Sequence, residues 1–133
     1  MKRLLKTLVF TILLISTFAF AVGSSFWFGK TLSAKEAISH WGHEEFSNAK
    51  FRDADVNGRA KMAAALIENK KAWIGRPLDD VHKQLGPHDG FYFTDTIPAY
   101  LVQTAKSEKE ETWQVVFLPD RKDQIKDVII HRQ

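Results

Sequence analysis

Apolar residues recur every three to four positions between residues 33 and 85, which is the spacing of helices with one buried face. The first predicted helix begins at Ser33, which forms a capping box with Glu36 three residues later, and it stops near Gly42. Its apolar stripe consists of Ala37, Ile38 and Trp41. We expect a short accessory helix here.

Two further helices are predicted before the chain changes its pattern. The longer one runs from Val56 to Trp73, with Asp55 as its N-cap. Its helical spacing is carried by Arg59, Met62, Leu66 and Trp73. After a break at Gly75-Arg76-Pro77, a short third helix ends at Gly86-Pro87, because glycine just beyond a helix followed by proline is a strong stop signal. Its apolar face consists of Leu78, Val81 and Leu85.

The hydrophobic period changes to two after residue 90, which predicts β-strands. The predicted strands lie at residues 91–93, 100–104, 112–118 and 125–131. The polar turns at 107–111 and 119–123 are too short to reach a parallel neighbour, so we expect antiparallel pairing.

The alternation along residues 112–118 indicates how the sheet is covered. Trp113, Val115 and Phe117 alternate with Gln114, Val116 and Leu118, so we expect one buried face and one mixed face. The predicted fold class is α+β, with a helical hairpin packed on a three- to four-stranded antiparallel sheet in two layers, preceded by an N-terminal signal or anchor helix. Residues 51–133 form the predicted domain, and residues 22–50 a linker with the accessory helix.

The first two dozen residues resemble an export signal. Lys2, Arg3 and Lys6 precede an apolar run from Thr7 to Phe18, and Ala19-Phe20-Ala21 matches the small-x-small pattern of signal peptidase sites. Residues 1–21 are therefore a signal peptide or, alternatively, an uncleaved membrane anchor, with membrane contact through residues 7–28. Both alternatives predict an exported domain, either periplasmic or anchored to the inner membrane and facing away from the cytoplasm.

Charge and cysteine content exclude several classes of function. The formal net charge of +3 is accounted for by the three cations of the signal region, and the charges of the remaining chain balance. Nucleic-acid binding is not expected, because it requires a surplus of Lys and Arg over one face. The sequence contains no cysteine, which excludes disulfides, thiolate nucleophiles and lipid attachment through a lipobox cysteine.

Candidate chemistry in the sequence is sparse. His40 and His43 share a helical face and precede Glu44, which makes these three residues the candidate metal ligands, although Gly42 interrupts the helix and no further ligand follows at a supportive spacing. His82, His88 and His131 are interpreted as scattered, and Asp79-Asp80 as acids favoured in the first turn of a helix. No nucleophile elbow or phosphate-binding glycine loop is present, so we expect neither an enzyme nor a cofactor.

The order of these elements and three short motifs resemble the BamE-like (SmpA/OmlA) family of cell-envelope domains. The motifs are Arg59-x-x-Met62, Ile74-Gly75-Arg76-Pro77-Leu78-Asp79-Asp80-Val81 and Leu85-Gly86-Pro87, and the resemblance covers residues 56 to 132. It implies a helical hairpin followed by a three-stranded antiparallel sheet, and a role in binding envelope proteins, as in outer-membrane assembly. The family's best-known members are lipoproteins; without a cysteine, this chain is expected to be soluble in the periplasm or held by its N-terminal segment.

A dense aromatic segment completes the picture. In a strand, Phe91, Tyr92 and Phe93 place rings on both faces, so either Tyr92 or the Phe91 and Phe93 pair is exposed unless the first helix covers that face. Together with Tyr100, these residues are the candidate partner-binding set. The leading hypothesis is thus a non-enzymatic envelope module that binds a protein of unknown identity. The alternative is a small-ligand or metal-binding protein centred on His40, His43 and Glu44.

Overall fold

The computed structural model describes residues 30–133 of the chain. The predicted signal peptide or anchor, residues 1–21, and the first part of the predicted linker lie outside the described residues. Within residues 30–133, no helix combines the length and the apolar character needed to cross a membrane.

The described residues fold as an α+β domain with four α-helices and a four-stranded antiparallel sheet. The helices are α1 (Ala34–Trp41), α2 (Asn48–Asp53), α3 (Val56–Glu68) and α4 (Asp79–Leu85), and Lys70–Ala72 form a 3-10 turn. The strands are β1 (Thr31–Leu32), β2 (Ala99–Gln103), β3 (Trp113–Pro119) and β4 (Ile125–Arg132). They are arranged in the order β1-β4-β3-β2, so β2 is one edge of the sheet. The register places Val115 of β3 opposite both Tyr100 of β2 and Ile130 of β4.

The ends of the helices follow the local sequence. The Ser33 hydroxyl accepts a hydrogen bond from the Glu36 N–H at 3.1 Å, and the Glu36 carboxylate accepts one from the Ser33 N–H at 3.2 Å. The Asp55 carboxylate accepts the Gly58 N–H at 2.7 Å at the start of α3. Helix α4 ends at Gly86, whose φ of +81° favours glycine. These observations confirm the predicted helix caps and stop.

One predicted helix is too long, one predicted strand is wrong, and two short elements were missed. The helix predicted over 56–73 ends at Glu68, where the Asn69 side chain donates to the Ala65 carbonyl at 2.9 Å and the chain continues as a 3-10 turn. The strand predicted at 91–93 is a tight turn instead. The short elements α2 and β1 were not predicted, because neither has enough residues to show a hydrophobic period.

The main core lies between the helices and one face of the sheet. Helix α1 packs against α3, α3 packs against β2 and β4, and α2 packs against α4. Aromatic rings fill this layer in edge-on contacts, with Phe51 5.5 Å from Tyr100 and Trp73 5.2 Å from Phe117 between ring centroids. Tyr100, one of the predicted partner-binding residues, is therefore used in packing.

The second face of the sheet is also covered, which the sequence pattern did not predict. A smaller apolar cluster there consists of Tyr92, Ile97, Ala99, Val116, Leu118 and Ile129. Helix α1 belongs to the helical layer on the opposite side, so it does not cover this face. The covering element is the connection between α4 and β2, residues 86–98, which returns across the sheet and carries the candidate aromatic residues.

Candidate functional site

The candidate site is the aromatic turn, which we define as Phe91, Tyr92 and Phe93. Tyr92 points into the second-face cluster with 7% of its surface exposed, and its ring lies edge-on to that of His131 at 4.8 Å. Phe91 and Phe93 are 51% and 72% exposed. Burying large apolar rings is the main source of folding free energy, so two exposed phenylalanines in one turn are unusual for a structural segment.

The backbone of the aromatic turn is strained at its most exposed residue. Phe93 has a φ of +58°, a region that bulky residues rarely adopt. The Thr94 N–H donates a 2.6 Å hydrogen bond to the Tyr92 carbonyl and closes a three-residue turn around Phe93. Such a conformation costs on the order of 1–3 kcal/mol and persists only where surrounding contacts hold it. The contacts that hold this turn therefore determine whether the Phe93 ring stays exposed.

Gln114 of β3 fixes the aromatic turn to the second face. The side chain is fully buried, its Nε2 donates to the Phe91 carbonyl at 2.7 Å, and its Oε1 accepts the Phe91 N–H at 3.0 Å. Oε1 also lies 3.3 Å from Nε2 of Gln133 at the chain's end. A single amide thus satisfies both backbone groups of Phe91, which orients its ring away from the sheet.

Gly90 brings the chain to the sheet at close range. Its N–H donates to the Ala99 carbonyl of β2 at 2.8 Å. A Cβ at this position would lie 2.9 Å from that carbonyl oxygen and would collide with Oε1 of Gln114. Only glycine allows this approach without displacing backbone or the buried amide.

Asp89 links the same segment to α3 through Arg59. Nη1 and Nη2 of Arg59 donate to Oδ1 and Oδ2 of Asp89 at 3.0 and 2.6 Å, and the guanidinium is almost buried. Oδ1 of Asp89 also accepts the Leu101 N–H at 2.9 Å. Asp89 and Gly90 thus occupy two backbone groups of the edge strand β2 and close part of that edge to further strand pairing.

The Asp89 contacts predict a specific pH dependence of stability. Burial raises the pKa of the Asp89 carboxyl. The hydrogen bonds from the Arg59 side chain and the Leu101 N–H, together with the Arg59 charge, lower this pKa by more than burial raises it, so it lies below its ordinary value. A carboxyl with a depressed folded-state pKa stabilises the fold fully above its unfolded pKa of about 4 and loses this contribution as pH falls through the folded value.

We therefore expect Asp89→Asn to lower the free energy of unfolding at pH 7, and the difference from wild type to shrink steadily below about pH 4. Urea unfolding of both proteins between pH 2.5 and 7 measures this difference. Asp95→Asn serves as the control, because Asp95 is an exposed carboxylate in the same connection. A difference for Asp89→Asn that stays constant across this range would contradict the assignment of the pair.

Tyr100, the fourth candidate partner-binding residue, lies in the main core. It is 1% exposed, and its hydroxyl donates to the Gly86 carbonyl at 2.7 Å. Burial raises the pKa of this hydroxyl, as it does to a lesser extent for Tyr92. Neither tyrosine ring is available to a partner in this structure. Of the predicted set, the structure leaves the Phe91 and Phe93 pair at the surface.

The candidate metal ligands do not come together. Nε2 of His43 lies 3.3 Å from the Glu68 carboxylate, and Glu44 lies 3.9 Å from Nζ of Lys50. The His40 ring is tilted against the Trp41 ring, with 5.7 Å between the ring centroids. Among residues 30–133, no group of three or more His, Asp or Glu side chains is arranged to hold a metal ion. The reason is that the helix containing His40 ends before His43, so the two imidazoles no longer share a face.

Two histidines interpreted as scattered are in fact neighbours. His82 Nε2 and His88 Nδ1 lie 2.7 Å apart across the end of α4. Burial and the neighbouring His88 lower the pKa of His82, while the Asp79 charge opposes this effect. The Gly86-Pro87 stop signal was the available clue, because a tight helix end returns the chain towards the preceding turn.

Comparison of the chain with protein-family models, with curated proteins and with solved structures gives no match. The function is therefore argued from the geometry of the aromatic turn and its supports.

Proposed function

We propose that this domain is a non-enzymatic cell-envelope module that binds or helps to assemble another protein through the aromatic turn. The observation that carries the proposal is the exposure of Phe91 and Phe93 on a backbone that is fixed at both ends. Aromatic residues are enriched in protein interfaces, where a few large rings supply most of the binding free energy.

Preorganisation favours this role for the aromatic turn. Ordering a flexible loop during association costs free energy, and a loop already held in its bound shape avoids that cost. Gln114 holds the backbone of Phe91 on both sides, and the 2.6 Å hydrogen bond from Thr94 closes the turn around Phe93. The strain at Phe93 has an explanation if the ring is displayed for binding.

The charge around the turn indicates the chemistry of the partner. Asp95 is the single charged residue in the segment 91–98, and it is exposed beside the two phenylalanines. An apolar pocket with a basic rim would complement this surface. An anionic lipid surface would be repelled by the carboxylate and would find no Lys or Arg in this segment to attract it. The proposed partner is accordingly a protein.

The proposed location rests on the sequence before residue 30 and on the family resemblance. The apolar segment at 7–28 supports export, followed by either cleavage or retention as an anchor. An α+β domain in which helices precede an antiparallel sheet is compatible with a BamE-like domain, and membership of that family is part of the proposal. The helical hairpin expected from the family resemblance is also part of the proposal. In the structure, α4 makes its main helix contact with α2 rather than with α3.

Photo-crosslinking in cells tests the proposal directly. Benzoylphenylalanine in place of Phe93 is expected to give a discrete crosslinked product with one envelope protein. The same residue in place of Ile38 or Ile74, each 41% exposed and distant in sequence from the turn, is expected to give none. Equal products from all three positions would indicate non-specific contact and contradict the proposal.

Substitution of both exposed rings should then separate binding from folding. We expect Phe91→Ser with Phe93→Ser to weaken binding of the crosslinked partner at least tenfold, because interface anchors of this kind contribute about 2 kcal/mol or more each. The melting temperature should change little, because both rings are largely solvated already. Ile38→Ser with Ile74→Ser is the matched control and should bind normally; unchanged binding by the phenylalanine variant would overturn the proposal.

A further inference from the structure

The end of helix α4 brings two imidazole nitrogens together in a fixed turn. His82 lies in the last turn of α4, and Gly86 allows the chain to reverse so that His88 returns beside it. The Gly86 carbonyl is held by the Tyr100 hydroxyl at 2.7 Å, and the His88 ring lies 6.4 Å edge-on from the Tyr100 ring. The backbone between the two histidines is therefore held by a hydrogen bond from the core.

The separation of the two ring nitrogens is close to that of two neighbouring ligands of one metal ion. Nε2 of His82 and Nδ1 of His88 are 2.7 Å apart, and the rings are tilted by 31°. Two nitrogens about 2.0 Å from one ion are about 2.8 Å apart at the right angle of a tetragonal site and about 3.3 Å apart in a tetrahedral site. The observed 2.7 Å is the length of the hydrogen bond between the two rings, so a metal ion would replace this hydrogen bond, and the general affinity order of divalent metals favours Cu(II) over Ni(II) and Zn(II).

We propose that His82 and His88 form a binding site for one divalent transition-metal ion, Cu(II) before Ni(II) or Zn(II), with water in the remaining positions. Both rings bind in the neutral form. The hydrogen now shared between the two nitrogens moves to a ring nitrogen that faces away from the ion, so the rings lose no net proton. Both side chains are only partly buried, which leaves a path for the ion and its water ligands.

The charges around the pair are compatible with a cation. Asp79 lies three residues before His82 on α4, close enough for its negative charge to act on the imidazole. From α2, the methylene groups of Arg52 approach Gly86, while its guanidinium lies 3.6 Å from the Asp53 carboxylate. The nearby Arg59 charge is paired with Asp89. A bound ion would join α4 to the segment that leads into the aromatic turn.

Titration of the untagged full-length chain with copper, nickel and zinc chlorides by calorimetry tests this site. We expect one ion per chain, copper binding tightest, and at least tenfold weaker copper binding in both His82→Gln and His88→Gln. His43→Gln is the matched control, because its imidazole is paired with Glu68 at 3.3 Å, and it should bind as wild type. Circular dichroism of each variant without metal establishes that it folds.

Electron paramagnetic resonance of the wild-type copper complex gives a second measurement that needs no variant. Two equivalent nitrogen couplings are expected. The proposal is overturned if copper binding is equal in wild type and His82→Gln, if it is lost in His43→Gln, or if the spectrum shows fewer than two nitrogen ligands. Because the test measures metal binding and not partner capture, its result is independent of the proposed protein-binding function.

Discussion

Replacement of Gly90 by alanine is expected to lower the free energy of unfolding by about 2 to 4 kcal/mol and to abolish partner binding. The added Cβ would lie 2.9 Å from the Ala99 carbonyl oxygen and would collide with the buried Gln114 amide. The Ala99 carbonyl is backbone, and the Gln114 amide is buried and held by two hydrogen bonds to Phe91, so the segment must lift from the sheet. Lifting it removes the Gly90 hydrogen bond to β2 and the support of the aromatic turn.

Urea unfolding and binding of the crosslinked partner measure the two effects of Gly90→Ala. Asp95→Ala is the control for a substitution in the same connection, since this residue is exposed and should change stability by less than about 0.5 kcal/mol. A Gly90→Ala protein with the stability of wild type would show that residues 88–91 do not lie against β2 as described.

Gln114→Glu is expected to be still more destabilising, by about 3 kcal/mol or more at pH 7. The fully buried amide donates through Nε2 to the Phe91 carbonyl at 2.7 Å. A carboxylate would place a negative oxygen against that carbonyl and would bury an unpaired charge. Since burial raises the pKa of a carboxyl, the penalty should decrease as pH falls and the glutamate becomes protonated.

Gln84→Glu is the matched control for this change. Gln84 of α4 uses its side-chain oxygen to accept the Asn48 amide at 3.0 Å, and glutamate keeps that acceptor. The control should therefore differ from wild type by less than about 0.5 kcal/mol. Chemical unfolding at pH 4 and pH 7 gives both comparisons. Equal effects of the two substitutions, or a penalty independent of pH, would contradict the description of Gln114 as the buried anchor.

The parts of the fold that could be predicted from the sequence are those set by local chemistry. The Ser33 and Glu36 capping box, the Asp55 cap and the Gly86 stop each depend on residues within four positions of one another. The α+β class and the antiparallel sheet followed from hydrophobic period and turn length. Such signals act within one element and do not require knowledge of its neighbours.

The aromatic segment was predicted wrongly as a strand because its neighbours decide its conformation. Three aromatic residues in succession have high strand propensity, which depends strongly on context. In the structure, Asp89 and Gly90 take the outer hydrogen-bonding groups of β2, and the chain then crosses the second face instead of continuing as a paired strand. Within the turn, the strand-like feature is a single isolated antiparallel bridge between Tyr92 and Thr94.

Two contacts could not be predicted because they depend on how separate segments meet in the folded chain. Gln114 alternates with apolar residues, which suggested a partly solvated face rather than an anchor for Phe91 twenty-three positions earlier. His82 and His88 are closer, yet their contact depends on the angle at which the chain leaves α4. The Gly86-Pro87 stop indicates that the chain reverses after α4 but not that the two rings meet, and no pattern in the sequence indicates the contact of Gln114 with Phe91.

The central claim is that Tyr92 faces the sheet while Phe91 and Phe93 face outward, and nuclear Overhauser spectroscopy of the folded chain tests it most directly. We expect contacts between the ring protons of Tyr92 and His131, which lie 4.8 Å apart between centroids, and contacts from the Gln114 side-chain amide to the backbone of Phe91. Contacts from the Phe93 ring to His131 or Val116, with an exposed Tyr92, would contradict the account.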